Sequence, residues 1–290
     1  MPKARIIRVD ELDAETPVNL NDYFPCLVAE GDSWFSLGSV PPKNVLSELD
    51  FGTQSAVVNL AYPGDTAADM EKALKLAGGR RIDVWLSEFG SVVCDRSSYP
   101  YAGILLSAGG NDLIDAVPHL LEQGVDYAAA DPADPSSIVD ADALAKFDEF
   151  LLKNITALVN FVRDQPSPNR DAPIFMHTYD YPTPNDAPAK LFGNGVGSAW
   201  LYPRLVAAGV PNTFWQPLMK YLVDHLAEQL LSLTLHDFHV VRTTGLLVPA
   251  ALGATGVSGD WENEIHATAS GYRKIARKLV DAVRRELGLQ

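Results

Sequence analysis

The 290-residue sequence predicts an α/β fold, a parallel sheet covered by helices on both faces, and three observations carry that prediction. Five short apolar runs are bounded by turn residues. Three longer segments repeat apolar residues at spacings of three and four. The two kinds alternate along most of the chain, which is the pattern of a parallel sheet between helix layers.

The runs come in order. Cys26-Leu27-Val28-Ala29-Glu30 stops at Gly31, and Ala56-Val57-Val58-Asn59-Leu60 stops before Pro63-Gly64. Gly103-Ile104-Leu105-Leu106-Ser107 stops at Gly109-Gly110. Pro173-Ile174-Phe175-Met176-His177 and Phe238-His239-Val240-Val241-Arg242 complete the set. None alternates cleanly between polar and apolar, so each reads as a strand buried on both faces. The helical stripes are Leu144, Phe147, Leu151, Ile155, Leu158, Val159 and Val162; then Phe214, Leu218, Leu222, Val223, Leu226 and Leu230; then Tyr272, Ile275, Ala276, Leu279, Val280 and Val283. A Ser or Thr at 268–270 can cap the last helix. One domain is expected over residues 1–290. Stretches rich in Pro, Gly, Asp and Asn place loop insertions near 113–140 and 181–212.

Composition narrows the function. Apolar residues are 47% of the chain, enough for a large core, and the formal charge is −14, a field that repels nucleic acid. The N-terminus carries basic residues without the apolar run of a secretory signal. No apolar stretch reaches the roughly 18 residues that span a bilayer. Cys26 and Cys94 show no metal-ligand spacing and read as free buried thiols, which points to the cytoplasm. Oligomeric state is left open.

Chemistry gathers at the strand ends, where ligands sit in such sheets. The first ends in Gly31-Asp32-Ser33-Trp34-Phe35, the second in Asn59-Leu60-Ala61-Tyr62-Pro63-Gly64-Asp65-Thr66, the third in Gly109-Gly110-Asn111-Asp112. Asp260-Trp261-Glu262-Asn263-Glu264-Ile265-His266 lies just before the last helix. A hydroxyl nucleophile needs a base and donors for the oxyanion. Ser33 can be the nucleophile and His266 the base, with Ser33 N–H, Gly64 N–H and the Asn111 amide as oxyanion donors. Trp34 and Trp200 are candidates to line an acyl or alcohol pocket; Trp85, Trp215 and Trp261 read as core. His177 closes the fourth run and reads as satisfying a local hydrogen bond.

These four blocks, in this order, resemble the SGNH (GDSL) hydrolase superfamily, and the likeness runs from about residue 26 to the end. The resemblance implies a flavodoxin-like three-layer α/β/α fold and ester hydrolysis. It implies Ser33 as nucleophile, Gly64 and Asn111 as oxyanion donors and His266 as base. The sequence departs from the family at three places. Asn263 stands where an Asp usually precedes the His by three, Ala267 follows His266 where Pro is common, and Trp34 replaces Leu. Asp260 is the preferred group to orient His266, Asn263 the alternative, a backbone carbonyl the third.

The expected activity is thus a metal-independent serine carboxylester hydrolase, with a small-molecule ester as partner and no cofactor. Gly-x-Ser-x-Gly is absent, so the nucleophile does not sit on the elbow of ordinary α/β-hydrolases. Two competing readings stand beside it. One is a metal-dependent phosphoesterase with Asp32, Asp65, Asn111, Asp112 and His266 as ligands, although imidazoles are scarce near the strand ends. The other is a non-catalytic acyl- or sugar-binding protein on the same scaffold.

Overall fold

Six parallel strands form one sheet in a computed structural model that describes residues 3–36, 43–70, 89–191, 194–195 and 198–289. The strands are β1 (Arg5–Arg8), β2 (Cys26–Gly31), β3 (Ala56–Asn59), β4 (Gly103–Ser107), β5 (Ile174–His177) and β8 (Phe238–Val241), in the spatial order β1-β3-β2-β4-β5-β8. β6 (Lys190–Leu191) and β7 (Asn194–Gly195) make a separate antiparallel pair. Helices among the described residues include α1 (Gly110–Ala116), α2 (Ala141–Asp164), α3 (Tyr202–Ala207), α4 (Asn212–Ser232) and α5 (Ala269–Glu286). The expected three-layer α/β/α fold is the fold observed.

Burial explains the sheet. Every residue of β2, β4 and β5 is buried, as strands covered on both faces require. Gly109 sits against Leu151 of α2 and Leu226 of α4, which places those helices together. Tyr272 of α5 packs edge-on to Trp34, and Arg273 of α5 reaches Glu48 at 2.9 Å. Thr268 caps α5 by accepting from Gly271 N–H at 3.2 Å.

Without β1 the order is 2-1-3-4-5, the flavodoxin-like winding. The chain leaves β2 toward β3 on one side and leaves β4 toward β5 on the other. Loops diverging at that switch point leave a crevice at the carboxyl ends of β2 and β4. Gly31 makes the contact between these strands possible, since a Cβ there would lie 2.6 Å from Ser107 O.

Three expectations need adjustment. β1 was not among the five runs; Arg5-Ile6-Ile7-Arg8 is an edge strand with charged ends, too short and mixed to stand out. The 181–212 stretch is not only loop, because it holds the β6–β7 pair and α3. Of 113–140, residues 113–116 belong to α1, and the rest carries short 3₁₀ turns. Trp85 lies outside the described residues. Among those described, no helix is long and apolar enough to cross a membrane. Cys26 and Cys94 are both buried and unpaired with each other, and burial pushes each thiol up to about 12.

Candidate active site

Ser33 follows β2 in a tight turn, not at a helix start. Phe35 and Ser36 N–H both donate to Asp32 O, and Trp34 N–H donates to the Asp32 side chain at 2.9 Å. This Asx-type turn lifts Ser33 out of the sheet end. The next loop is tied alongside: Tyr62 N–H donates to Gly31 O at 2.8 Å. Gly64 lies in that loop at φ +92°, a left-handed conformation that glycine adopts without strain. Asn111, in the first turn of α1, donates one amide proton to Asp65 O at 3.0 Å. An amide NH₂ has two protons, so the second can serve a ligand.

The His loop closes on itself before reaching Ser33. Glu262 N–H donates to His266 O at 2.9 Å, and Trp34 Nε1 donates to Ile265 O at 3.2 Å. His266 Nε2 stands 2.8 Å from Ser33 Oγ. Its Nδ1 stands 3.1 Å from Asn263 Oδ1. That oxygen also accepts from Ile265 N–H at 3.1 Å and His266 N–H at 2.9 Å. Two backbone donors fix this atom of Asn263 as the oxygen, so Nδ1 must carry the ring proton and Nε2 must present its lone pair to Ser33. Desolvation pushes His266 down to about 4.

Asp260 does not orient His266. Its carboxylate accepts from Lys274 Nζ at 2.5 Å and Val248 N–H at 2.7 Å. Burial raises its pKa, but these two donors outweigh that and hold it below the usual range. Six residues before the histidine, Asp260 instead closes the base of the loop, where its carbonyl accepts from Thr268 N–H at 2.7 Å. The three-residue spacing is the one that curls back onto the imidazole.

The two tryptophans separate. Trp34 lines an almost wholly apolar cavity of about 30 Å³ beside Ser33 and Asn111, with Leu113, Met219 and Leu226 deeper in. Trp200 packs edge-on to His266 at 5.3 Å between ring centroids and is not among the residues of that cavity. A more polar pocket of about 220 Å³ also borders Ser33, with His266, Lys43 and Glu262 in its wall.

Glu264 is a residue whose role the sequence did not disclose. It is buried, and its carboxylate accepts from Trp200 N–H at 2.5 Å, Tyr202 N–H at 2.6 Å, Leu201 N–H at 2.7 Å and Asn185 N–H at 3.2 Å. The only signal was a third acid in the His block. These bonds staple the 181–212 segment to the His loop, while burial still raises the Glu264 pKa against them.

The suggested metal-ligand set does not converge. The Asp32 carboxylate is wrapped by Tyr179, Ser107 and Trp34 N–H, and Asp112 accepts from Ala67 N–H at 2.9 Å. Among the described residues, the group of three ligand-type side chains within mutual reach is Asp237, His239 and Glu286. Asp237 and His239 lie at the start of β8, the opposite end of the sheet.

No sequence-family model matches the chain, and no curated protein matches it in sequence. Solved structures align with most of its length. A possible lipase from Chitinophaga pinensis DSM 2588 is 14% identical and matches 91% of this chain and 99% of that one, with a TM-score of 0.45. An acetylxylan esterase from Geobacillus stearothermophilus is 15% identical and matches 92% of this chain and 96% of that one, with a TM-score of 0.41.

Proposed function

We propose that the chain is a serine-dependent carboxylic ester hydrolase working through an acyl-enzyme. The observation that carries this reading is the 2.8 Å approach of His266 Nε2 to Ser33 Oγ, with the ring tautomer set by Asn263. Ser33 attacks the ester carbonyl as His266 takes its proton. Ser33 N–H, Gly64 N–H and Asn111 Nδ2 stabilise the oxyanion, each such donor contributing about 3 kcal/mol. His266 then protonates the leaving alcohol, and water activated by the same ring releases the acid.

The acyl group enters the apolar cavity beside Ser33. At about 30 Å³, and with roughly 10–15 Å³ needed per water-sized sphere, it suits a short acyl chain. The alcohol side faces the pocket containing Lys43 and Glu262.

Hydrolysis of p-nitrophenyl acetate, butyrate and octanoate with EDTA present tests this. Wild type should turn over acetate and butyrate faster than octanoate, and Ser33→Ala should lose about 10⁴-fold or more in kcat. Equal rates in wild type and Ser33→Ala would refute the serine mechanism.

A further inference from the structure

Below the Ser33 turn lies a chain of buried polar groups that the hydrolytic cycle does not use. Asp32, Ser107 and His177 are almost or wholly inaccessible, and so is Tyr179. Tyr179 O–H donates to Asp32 Oδ2. Ser107 Oγ is 2.8 Å from Asp32 Oδ1, 2.9 Å from His177 Nε2 and 3.1 Å from the Tyr179 hydroxyl. His177 Nδ1 is 2.9 Å from Thr178 O. Trp34 stacks on the His177 ring at 5.5 Å and 13°. Gly110 gives Tyr179 its room, since a Cβ there would lie 2.5 Å from the phenol ring.

Counting protons across the contacts of Ser107 with Asp32 and His177 leaves the pair one short if Asp32 is ionised and His177 neutral. A carbonyl only accepts, so His177 Nδ1 carries hydrogen and Nε2 holds a lone pair. Ser107 has one hydroxyl proton. If it goes to Asp32, the serine oxygen and Nε2 face each other lone pair to lone pair at hydrogen-bond distance. If it goes to Nε2, Ser107 faces a bare carboxylate. One added proton satisfies both contacts while Tyr179 O–H still goes to Asp32 Oδ2, and only the longer 3.1 Å approach of Ser107 Oγ to the Tyr179 hydroxyl is then left without one. Placed on Asp32 Oδ1, it is donated to Ser107, which donates to His177, which donates to Thr178 O. That arrangement also leaves no net charge in a dry site, where charges are costly.

We infer that Asp32, Ser107 and His177 form a proton-retaining relay that keeps Asp32 neutral directly beneath the nucleophile, with His177 and Tyr179 as positioning residues for the Ser33 turn. Its kinetic consequence rests on Ser33 being the nucleophile: a carboxylate at Asp32 would oppose the negative charge developing at the adjacent residue. Burial pushes Asp32 up to about 6 and His177 down to about 4, the directions that favour the neutral arrangement, which is fully populated below about pH 6. The titratable groups facing Asp32 are Tyr179 after β5, Asp112 from α1 and Tyr272 from α5; aromatic rings of Trp34, Phe35 and Tyr179 surround His177.

The direct test uses Ser33→Ala protein, so it does not depend on hydrolysis. Infrared difference spectra should show a protonated carboxyl band that Asp32→Asn lacks, and ¹⁵N spectra should show His177 neutral with hydrogen on Nδ1. A carboxylate at Asp32 together with neutral His177 near pH 5 overturns the relay. The second test removes the acceptor. In His177→Phe, Ser107 is free to donate to Asp32, so the carboxyl band should titrate about one unit lower. In the Ser33-bearing enzyme the same change should lower kcat about tenfold with KM unchanged, a loss of transition-state stabilisation alone, and His177→Gln should restore it through its amide oxygen. An unchanged carboxyl titration in folded His177→Phe refutes the role given to His177. Failure of the esterase reading would show in the p-nitrophenyl assay and leave the infrared result standing.

Discussion

Asn263 is the residue at which this site differs most in physical terms from one with a carboxylate. Its oxygen holds the His266 tautomer through three contacts but brings no charge to stabilise an imidazolium. His266 is therefore easy to keep neutral, with desolvation placing it at about 4. The base acts only when neutral, so the acid limb of kcat/KM should fall near pH 4, below that of an ordinary histidine. Asn263→Asp adds an opposite charge beside the ring and raises the pKa of His266. The acid limb should then move up by at least about one unit, or about 1.4 kcal/mol, read from pH-rate profiles. A limb that stays in place would mean His266 is not the base.

Elements hold these residues in register, and Glu264 shows how. Four backbone N–H groups from 185–202 converge on one carboxylate next to His266. Glu264→Gln keeps the size but offers one oxygen where two are used, and turns an NH₂ toward backbone donors. The expected cost is about 2–4 kcal/mol, because hydrogen bonds to charged groups are strong and unmade buried ones are expensive. Urea unfolding should report that loss, and kcat/KM should fall with it because Trp200 rests on His266. Full stability in Glu264→Gln would show that the staple contributes nothing. At the other end of the sheet, Arg163 of α2 donates to the carbonyls of Arg170, Ala172, His236 and Asp237, tying that helix to the entrances of β5 and β8.

Across the whole molecule, pH dependence is set by buried groups of opposite sign. Burial raises Asp32, Asp65 and Asp112 to about 6 and lowers His177 and His266 to about 4. A carboxyl raised on folding favours the folded state below its unfolded pKa, near 3.8, and loses that contribution as pH rises through about 6. A histidine lowered on folding does the reverse, losing stability as pH falls from 6.5 toward 4. Asp112 isolates the first effect, since its Oδ1 is buried with no hydrogen-bond partner. Asp112→Asn should be more stable relative to wild type at pH 8 than at pH 4, by up to about 3 kcal/mol, measured by denaturant titration at both values. No difference between the two pH values would place Asp112 at its ordinary pKa.

Five strand cores and three long helices were legible because apolar runs and one-sided helices leave clear periodicities, as in Ile104-Leu105-Leu106 and the Leu144–Val162 stripe, although the fifth run, β8, is a sheet edge with only Phe238 buried and not a strand covered on both faces. So were the blocks holding Ser33, Gly64, Asn111 and His266, because glycine and polar residues at strand ends interrupt those patterns. β1 was not, since four residues on an edge need little apolar content. The partner of His266 was decided only by the path of a five-residue loop, where Asn263 curls back and Asp260 turns to Lys274. The staple at Glu264 and the buried set around His177 were likewise decided in three dimensions. Sequence carries local periodicity and composition, whereas hydrogen bonds between residues 64 to 75 positions apart exist only once the sheet has brought its strand ends together.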